Sequence, residues 1–178
     1  MYPKFPFILF HIGGKEPRRI NEQRIVEFLD SVDVLLLIVD DPGQPFLKKL
    51  QIKNKNIIPI METFSLFELL ALSSDPNCLL YIGHEGGQSH ILHRPSNCLI
   101  LYTSSVDHIV YRPFTGTVWT KTIIGNVNLE KSEMDERLKF IAYKDSFYRP
   151  TFDIIIDRES YDIDLKLIFD VVRKELQI

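Results

Sequence analysis

The strongest constraint on the fold is an alternation of short apolar runs with segments of helical periodicity. Residues 34–39 are six consecutive aliphatic residues, and the turn sequence Asp-Asp-Pro-Gly follows them. Continuous rather than alternating hydrophobicity is typical of a strand that is covered on both faces. Residues 19–31, just before this run, place apolar side chains at helical spacing, with Asn21 as the expected N-cap.

The same alternation recurs along the first two-thirds of the chain. It predicts strands at residues 7–10, 34–39, 57–60, 79–82 and 98–102, and helices at 19–31, 46–50, 64–73 and 88–93. Thr63 or Ser65 is the expected cap of the helix at 64–73. Strands separated by helices pair in parallel through right-handed crossovers. The prediction is an α/β fold: an open, doubly wound, mostly parallel sheet with helices on both faces.

The last third of the chain has a weaker pattern. It predicts a strand at residues 118–124, a helix at 132–144 capped by Ser132, and a strand at 151–156. A closing helix is indicated by an apolar stripe made of Leu165, Ile168, Phe169, Val172 and Leu176. Because no repeat, low-complexity tract or linker divides the chain, we expect a single domain over residues 1–178.

Composition argues against several classes of partner. The net charge is −3 with a pI of about 6.0, and lysines and arginines are scattered among acids, so we expect no nucleic acid partner. A membrane-spanning helix needs about 20 apolar residues, which predicts no membrane span. No signal peptide is expected at the start of the sequence. Cys78 and Cys98 are expected to be reduced and buried, which favours the cytoplasm.

Two glycine-containing turns follow predicted strands. Ligands of a doubly wound sheet bind outside the carboxyl ends of its strands, where both turns would lie. The first turn follows the strand at 7–10, and the second follows the strand at 79–82 and opens a helix. We therefore take as candidate ligand-binding residues Gly13, Gly14, Lys15, Glu85, Gly86, Gly87, Gln88 and His90.

The second turn carries the more specific pattern. Gly86 and Gly87 allow a close backbone approach, and a helix that begins near Gly87 would present N–H groups to a phosphate. His90 would lie one turn into that helix, and Glu85 would be placed to accept from a sugar hydroxyl. The alternative is a tight strand-to-helix turn with solvated histidines.

The first turn combines glycines with positive charge. Lys15, Arg18 and Arg19 would neutralise a diphosphate, or would simply lie on the surface. Neither turn is a G-x-G-x-x-G or a P-loop sequence, so classical dinucleotide and P-loop binding are not supported.

Metal and catalytic signals are weak. His90, His93 and Asp107-His108 have no regular ligand spacing, so no metal site is predicted, and the five histidines of the sequence are expected at the surface. No organic cofactor is indicated. The catalytic base is unknown, with Glu85 and His84 as the last candidates.

These residues resemble the C-terminal, donor-binding half of a GT-B glycosyltransferase, most closely the ADP-heptose heptosyltransferases. That family carries a glycine, a small polar residue, Asp-Ser-Gly, two variable residues and His. In residues 83–90, Glu85 stands for the Asp and Gly86 for the Ser, while Gly87 and His90 match directly. The family's small-Leu-x-x-Leu helix is matched at residues 65–69, and its glycine loop with a Lys at residues 13–15. The resemblance covers residues 7 to 114.

The resemblance implies a Rossmann-like domain that binds a nucleotide-diphosphate sugar donor. Backbone at Gly86, Gly87 and Gln88 would hold the diphosphate, with Lys15 adding positive charge. The acceptor half of a GT-B enzyme has no counterpart here, and in inverting members it supplies the general base. Sugar transfer would therefore need a missing domain or a partner subunit. The alternatives are a non-catalytic interaction or regulatory module, and a nucleotide hydrolase with Glu85 as base.

Overall fold

The computed structural model describes residues 4–12, 21–40, 47–60, 64–84, 97–102, 119–124, 151–155 and 164–178. The strands within these ranges are β1 Phe7–His11, β2 Leu36–Val39, β3 Ile57–Ile60, β4 Cys78–His84, β5 Cys98–Tyr102, β6 Trp119–Ile124 and β7 Thr151–Ile155. The helices are α1 Glu22–Ser31, α2 Leu66–Ser73 and α3 Leu165–Leu176, with a 3-10 turn at Leu47–Lys49.

The strands form one sheet in the order β3-β2-β1-β4-β5-β7-β6. Every neighbouring pair is parallel. This confirms the predicted doubly wound α/β architecture, and among the described strands the sheet is parallel throughout rather than mostly. β1 and β4 are neighbours in the interior of the sheet, with two strands beyond β1 and three beyond β4.

Helices cover both faces of the sheet, as predicted. Ile8, Phe10 and Ile82 point to the face on which α1 and α3 pack. Leu9 and Tyr81 point to the other face, where α2 contributes Leu69 and Leu72. Alternate residues of each central strand therefore serve two separate cores, which explains why the strand sequences are apolar throughout.

The α1–α3 side is held by aromatic side chains. Phe28 of α1 lies edge-on to Phe10, with ring centroids 5.7 Å apart, and to Phe169 of α3, at 5.2 Å. Arg173 lies over the Phe169 ring at 5.5 Å and pairs with Asp33 just beyond α1. The closing helix predicted from its apolar stripe thus packs where that stripe requires.

Both early helices begin at capping residues. Asn21 caps α1, its side chain accepting from the Gln23 N–H at 2.8 Å. Ser65, one of the two expected caps, begins α2 in a capping box. The Ser65 hydroxyl accepts from the Glu68 N–H at 3.3 Å, and the Glu68 carboxylate accepts from the Ser65 N–H at 2.7 Å. These contacts satisfy amide groups that a helix start otherwise leaves without partners.

Two predicted elements are shorter in the structure. The helix expected at 46–50 is only the 3-10 turn Leu47–Lys49, with the Leu47 N–H bonded to the Asp40 carboxylate at 2.8 Å. The strand expected at 34–39 begins at Leu36, which pairs with Ile57, the first residue of β3. Both segments lie where the sequence predicts them, but their lengths depend on hydrogen-bonding partners elsewhere in the chain.

Two central strands are longer than predicted. β1 continues to His11, and β4 starts at Cys78 and continues through Gly83 to His84. His11 and Gly83 are paired on both sides, whereas Cys78 is paired only with β1 and His84 only with β5. The helices predicted at 88–93 and 132–144 lie outside the described residues.

Candidate functional site

The change of chain direction across the sheet falls between β1 and β4. After β1 the chain moves toward β2 and β3 on one side, and after β4 it moves toward β5 on the other. In open parallel sheets, such a switch point leaves a crevice at the carboxyl ends of the two strands, where ligands bind. The fold therefore defines one candidate site before any side chain is considered.

Both glycine-containing turns predicted from the sequence begin at this switch point. The first follows Ile12, just after β1, and the second follows His84, the last residue of β4. The two strand ends are adjacent, because His11 is the Cα partner of Gly83. The candidate residues themselves lie outside the described part of the chain: Gly13, Gly14, Lys15, Glu85, Gly86, Gly87, Gln88 and His90. Their ligand contacts remain predictions.

Two histidines are buried at these strand ends. His11 is 3% exposed and His84 is 7% exposed. The described residues include three with a buried polar or charged side chain, and the third is Ser73 at the end of α2. The expectation of surface histidines was wrong for His11 and His84, because each continues a central strand between two neighbours.

The two histidines lie on opposite faces of the sheet. His11 is in phase with Leu9 and therefore lies on the α2 face. His84 is in phase with Ile82, on the face of α1 and α3, and its Cα partner on β5 is the buried Leu101. The imidazoles thus flank the switch point, one from each side.

Gly83 is needed for a reason that the sequence did not reveal. An ideal Cβ at Gly83 would lie 2.6 Å from Cζ and 2.9 Å from Cε1 of Tyr81, and would overlap the hydroxyl. The fully buried Tyr81 ring therefore extends along β4 over Gly83 toward the carboxyl edge. Its hydroxyl reaches the position of the residue that is paired with His11.

The described helix starts are closed by their own side chains. Asn21 caps α1, and Ser65 with Glu68 caps α2, whose first turn follows β3 toward the same edge of the sheet. The Ser65 side chain, and to a lesser degree its backbone N–H, donates hydrogen bonds to the Glu68 carboxylate, and these bonds lower the pKa of Glu68. An anion would therefore meet a carboxylate rather than open amides at the start of α2.

Cys78 lies far from the candidate site, at the opposite end of β4. Burial raises the pKa of its thiol to about 12, so the thiol is neutral at physiological pH. As predicted, neither cysteine is in a disulfide; Cys98 is buried and Cys78 partly buried. These surroundings disfavour a thiolate nucleophile at Cys78.

Two other features are absent from the described ranges. No three His, Cys, Asp or Glu side chains in that part of the chain come together as metal ligands. No helix described there is long and apolar enough to cross a membrane.

The sequence predicted Tyr81 only as a strand residue, not as part of the site, and it predicted His11 and His84 in turns. A continuous apolar run gives no phase, so it does not show how far a strand extends. The lengths of the neighbouring strands could have shown how far β1 and β4 extend. That comparison requires the strand order, which the sequence does not give.

Comparisons with known proteins assign no family to this geometry. No family model matches the chain, and no curated protein and no solved structure matches it. The functional proposal therefore depends on the strand ends and on the motif resemblance.

Proposed function

We propose that the chain is a donor-binding domain of glycosyltransferase type, which holds a nucleotide-diphosphate sugar at the carboxyl edge of its sheet. The observation that carries this proposal is the switch point, where β1 and β4 end side by side and both glycine-containing turns begin. Two separate sequence signals thus originate at the position where parallel sheets bind ligands.

In this proposal the second turn binds the diphosphate and the first adds charge. Backbone N–H groups at Gly86, Gly87 and Gln88 point at the phosphates, and Lys15 neutralises them. Departure of a nucleoside diphosphate leaves negative charge on its phosphate oxygens, which these donors stabilise as the charge develops. Glu85 accepts from a ribose or sugar hydroxyl, and His90 donates to the ligand from the helix that the sequence predicts at 88–93.

Sugar transfer also requires an acceptor site. The acceptor hydroxyl needs a base within about 3 Å of its proton. We propose that a second domain or a partner subunit supplies both the acceptor site and the base. We also propose a cytoplasmic location, since two cysteines outside any disulfide are typical of reducing compartments.

The proposal is tested by thermal unfolding of the full chain with ADP, GDP, UDP and their sugars at millimolar concentration. A ligand at a hundredfold excess over its Kd stabilises by about 2.7 kcal/mol, which raises the Tm by roughly 5–10 °C for a chain of this size. We expect such a rise with at least one nucleotide, and abolition of binding by Gly87→Val.

Gly43→Val is the matched control for this substitution. The sequence places Gly43 in the turn after β2, one strand away from the switch point. We expect the Gly43→Val chain to retain nucleotide binding. Absence of a Tm rise with every nucleotide and nucleotide sugar tested would refute the proposed function.

A second candidate function, a non-catalytic interaction module, is favoured by the surface of α2. Phe67 is 79% exposed and Leu66 is 37% exposed in its first turn. Neighbouring exposed apolar side chains, rather than single ones, are typical of binding surfaces. An interaction module would bind no nucleotide and would lose association with itself or a partner on Phe67→Ser. Leu167→Ser is the control, because Leu167 is 61% exposed on the opposite side of the sheet.

A further inference from the structure

Positive charge is concentrated in the connection between β2 and β3. Between Asp41 and Glu62, residues 42–61 contain no Asp, Glu or Arg, and they carry four lysines: Lys48, Lys49, Lys53 and Lys55. The whole chain has a net charge of −3 and this stretch has +4, so the rest of the chain carries −7. The chain is therefore polarised, with a positive stretch on an otherwise acidic protein.

Residues 47–56, which we call the basic strap, are held along the face of the sheet on which α1 packs. Leu50 and Ile52 pack against the core under α1 and α3. The Asn54 amide donates to two carbonyls at the end of α1, at 2.8 and 2.7 Å. The four lysines lie between and beside these anchors, and all four are exposed. The anchors fix the backbone of the strap, and the lysine side chains extend from it into solvent.

The acids near the strap do not balance its charge. None of the four lysine side chains forms a hydrogen bond or an ion pair within the part of the chain that the structure describes. The Asp40 carboxylate accepts from the Leu47 N–H at 2.8 Å, and Asp33 pairs with Arg173. Asp30, exposed near the end of α1, is one carboxylate against four lysines. The strap therefore keeps an excess of positive charge that can meet an anionic surface.

Exposed apolar side chains adjoin the strap. The strap leads directly into β3, the last strand of the sheet on this side. Ile58 is 45% exposed, and Pro59 beside it is exposed as well. These two residues lie on opposite faces of β3, and both reach the end of the sheet because no described strand lies beyond β3. The strap and β3, which together we call the β3 end, thus combine lysines with aliphatic side chains.

This combination favours a lipid surface over a nucleic acid. Lysine is a point charge without the planar fork with which arginine recognises phosphates. Surfaces that bind nucleic acids commonly add aromatic or arginine side chains on which bases stack, and residues 47–60 contain neither. Basic side chains next to apolar ones bind anionic bilayers by combining attraction to the headgroups with burial of apolar area.

We propose that the β3 end binds to the surface of an anionic membrane, with the four lysines on the headgroups and Ile58 against the lipid. The negative charge on the rest of the chain orients the protein, because it is repelled by the surface that attracts the strap. The proposal goes beyond the nucleotide site, since it uses none of the residues proposed to bind the nucleotide sugar.

The experiment measures sedimentation of the full chain with vesicles of phosphatidylcholine that contain about one-third phosphatidylserine. Vesicles of phosphatidylcholine alone are the neutral reference. We expect binding to the anionic vesicles that weakens as the salt concentration rises, and little binding to the neutral ones. Equal binding to both kinds of vesicle, or binding to neither, would overturn the proposal.

Lysine substitutions locate the surface. A lysine near anionic headgroups strengthens binding about fivefold, so Lys53→Gln with Lys55→Gln should weaken it about twentyfold or more. Lys166→Gln with Lys174→Gln removes the same charge from α3, where Lys166 pairs with Asp170 at 3.0 Å. We expect this control to bind vesicles as the unaltered chain does. An equal loss in the two double variants would show an effect of net charge alone and would overturn the proposal.

Ile58→Ser tests the apolar part of the contact. We expect it to weaken binding to the anionic vesicles about threefold or more, because less apolar area is buried against the lipid. Leu167→Ser is the control, since Leu167 is 61% exposed on α3. If Ile58→Ser binds as the unaltered chain does, or if Leu167→Ser loses as much, the proposed contact is wrong.

A nucleic acid is the competing partner. The full chain is also titrated with duplex and single-stranded DNA, and we expect no binding at the salt concentration at which the anionic vesicles are bound. DNA binding under those conditions would assign the strap to nucleic acids and overturn the proposal. The nucleotide-dependent rise in Tm measures a different site, so failure of either proposal leaves the other standing.

Discussion

At the residue scale, the ends of β1 and β4 differ from the rest of the core because polar side chains replace aliphatic ones. His11 follows four apolar residues of β1, and His84 follows a glycine that no side chain can replace without overlap. These positions are restricted by their neighbours on adjacent strands and by Tyr81. Substitutions at these positions therefore test how the ends of β1 and β4 are packed.

Gly83→Ala is expected to destabilise the fold. Its Cβ would overlap the Tyr81 ring, which is fully buried. Overpacking of this kind costs about 1–3 kcal/mol, which lowers the Tm by roughly 2–12 °C for a chain of this size. Tyr81→Leu in the same chain should restore part of the loss by removing the ring. A Gly83→Ala chain with unchanged Tm would contradict the packing described here.

The buried thiol of Cys78 should make the free energy of unfolding depend on pH in the alkaline range. The pKa of its thiol rises from its usual value near 9 to about 12, with burial as the main cause. Between these values the unfolded chain ionises the thiol and the folded chain does not. The free energy of unfolding should therefore fall as the pH rises above about 9, and Cys78→Ala should remove that part of the slope.

The same shift predicts slow alkylation of Cys78. At pH 8 we expect iodoacetamide to modify Cys78 about a thousandfold more slowly in the folded chain than in urea, because the thiolate is the nucleophile. Mass spectrometry of the modified chain measures the rate. Rapid modification at Cys78 under native conditions would show that the thiol is not shielded.

At the scale of elements, the packing of α1 against α3 joins the first helix of the described chain to the last. Phe28 and Phe169 lie in edge-to-face contact above β1, and Arg173 covers the outer side of Phe169. The ion pair between Arg173 and Asp33 contributes little, since the Asp33 side chain is 70% exposed. Aromatic burial is the stronger interaction between these helices.

Phe169→Ala is expected to destabilise the chain by about 3–5 kcal/mol, because it removes a ring from the closed core under α3. Leu167→Ala, two residues away on the same helix, is the control. Leu167 is 61% exposed, so its truncation should change stability by about 0.5 kcal/mol or less. Urea unfolding of the two variants measures both values. Equal losses would mean that α3 packs by a different face.

At the scale of the whole molecule, the order of the strands determines which parts open first. β1 and β4 lie in the interior of the sheet, while β3 is at one end of the strand order and contains Pro59, which has no N–H. Ile58 of β3 is 45% exposed, whereas each residue of β1 is buried. Local opening is easiest where burial and pairing are least.

Native-state hydrogen exchange should follow this order. We expect the amide of Ile8, bonded to the Leu35 carbonyl at 2.8 Å, to exchange at least about tenfold more slowly than that of Ile57, bonded to the Asn54 carbonyl at 3.2 Å. Heteronuclear NMR in deuterated buffer measures both rates. Equal rates would show that the sheet opens as a single unit.

Much of the fold was predictable because it depends on local patterns. Helical spacing and capping residues located α1, α2 and α3, and Asn21 and Ser65 begin their helices as expected. The candidate site was predictable only in outline. The glycine-containing turns predicted a ligand site at the ends of these strands, but the burial of His11 and His84 and the position of the Tyr81 ring were not predicted.

The sequence by itself determined the order of most elements and the apolar residues that form both cores, because hydrophobic periodicity and capping act between near neighbours. The tertiary structure alone decided where β1 and β4 end, that they end side by side, and that His11 and His84 are buried there. Strand length and burial depend on hydrogen-bonding partners far away in the sequence. Those partners are fixed only when the whole sheet has formed.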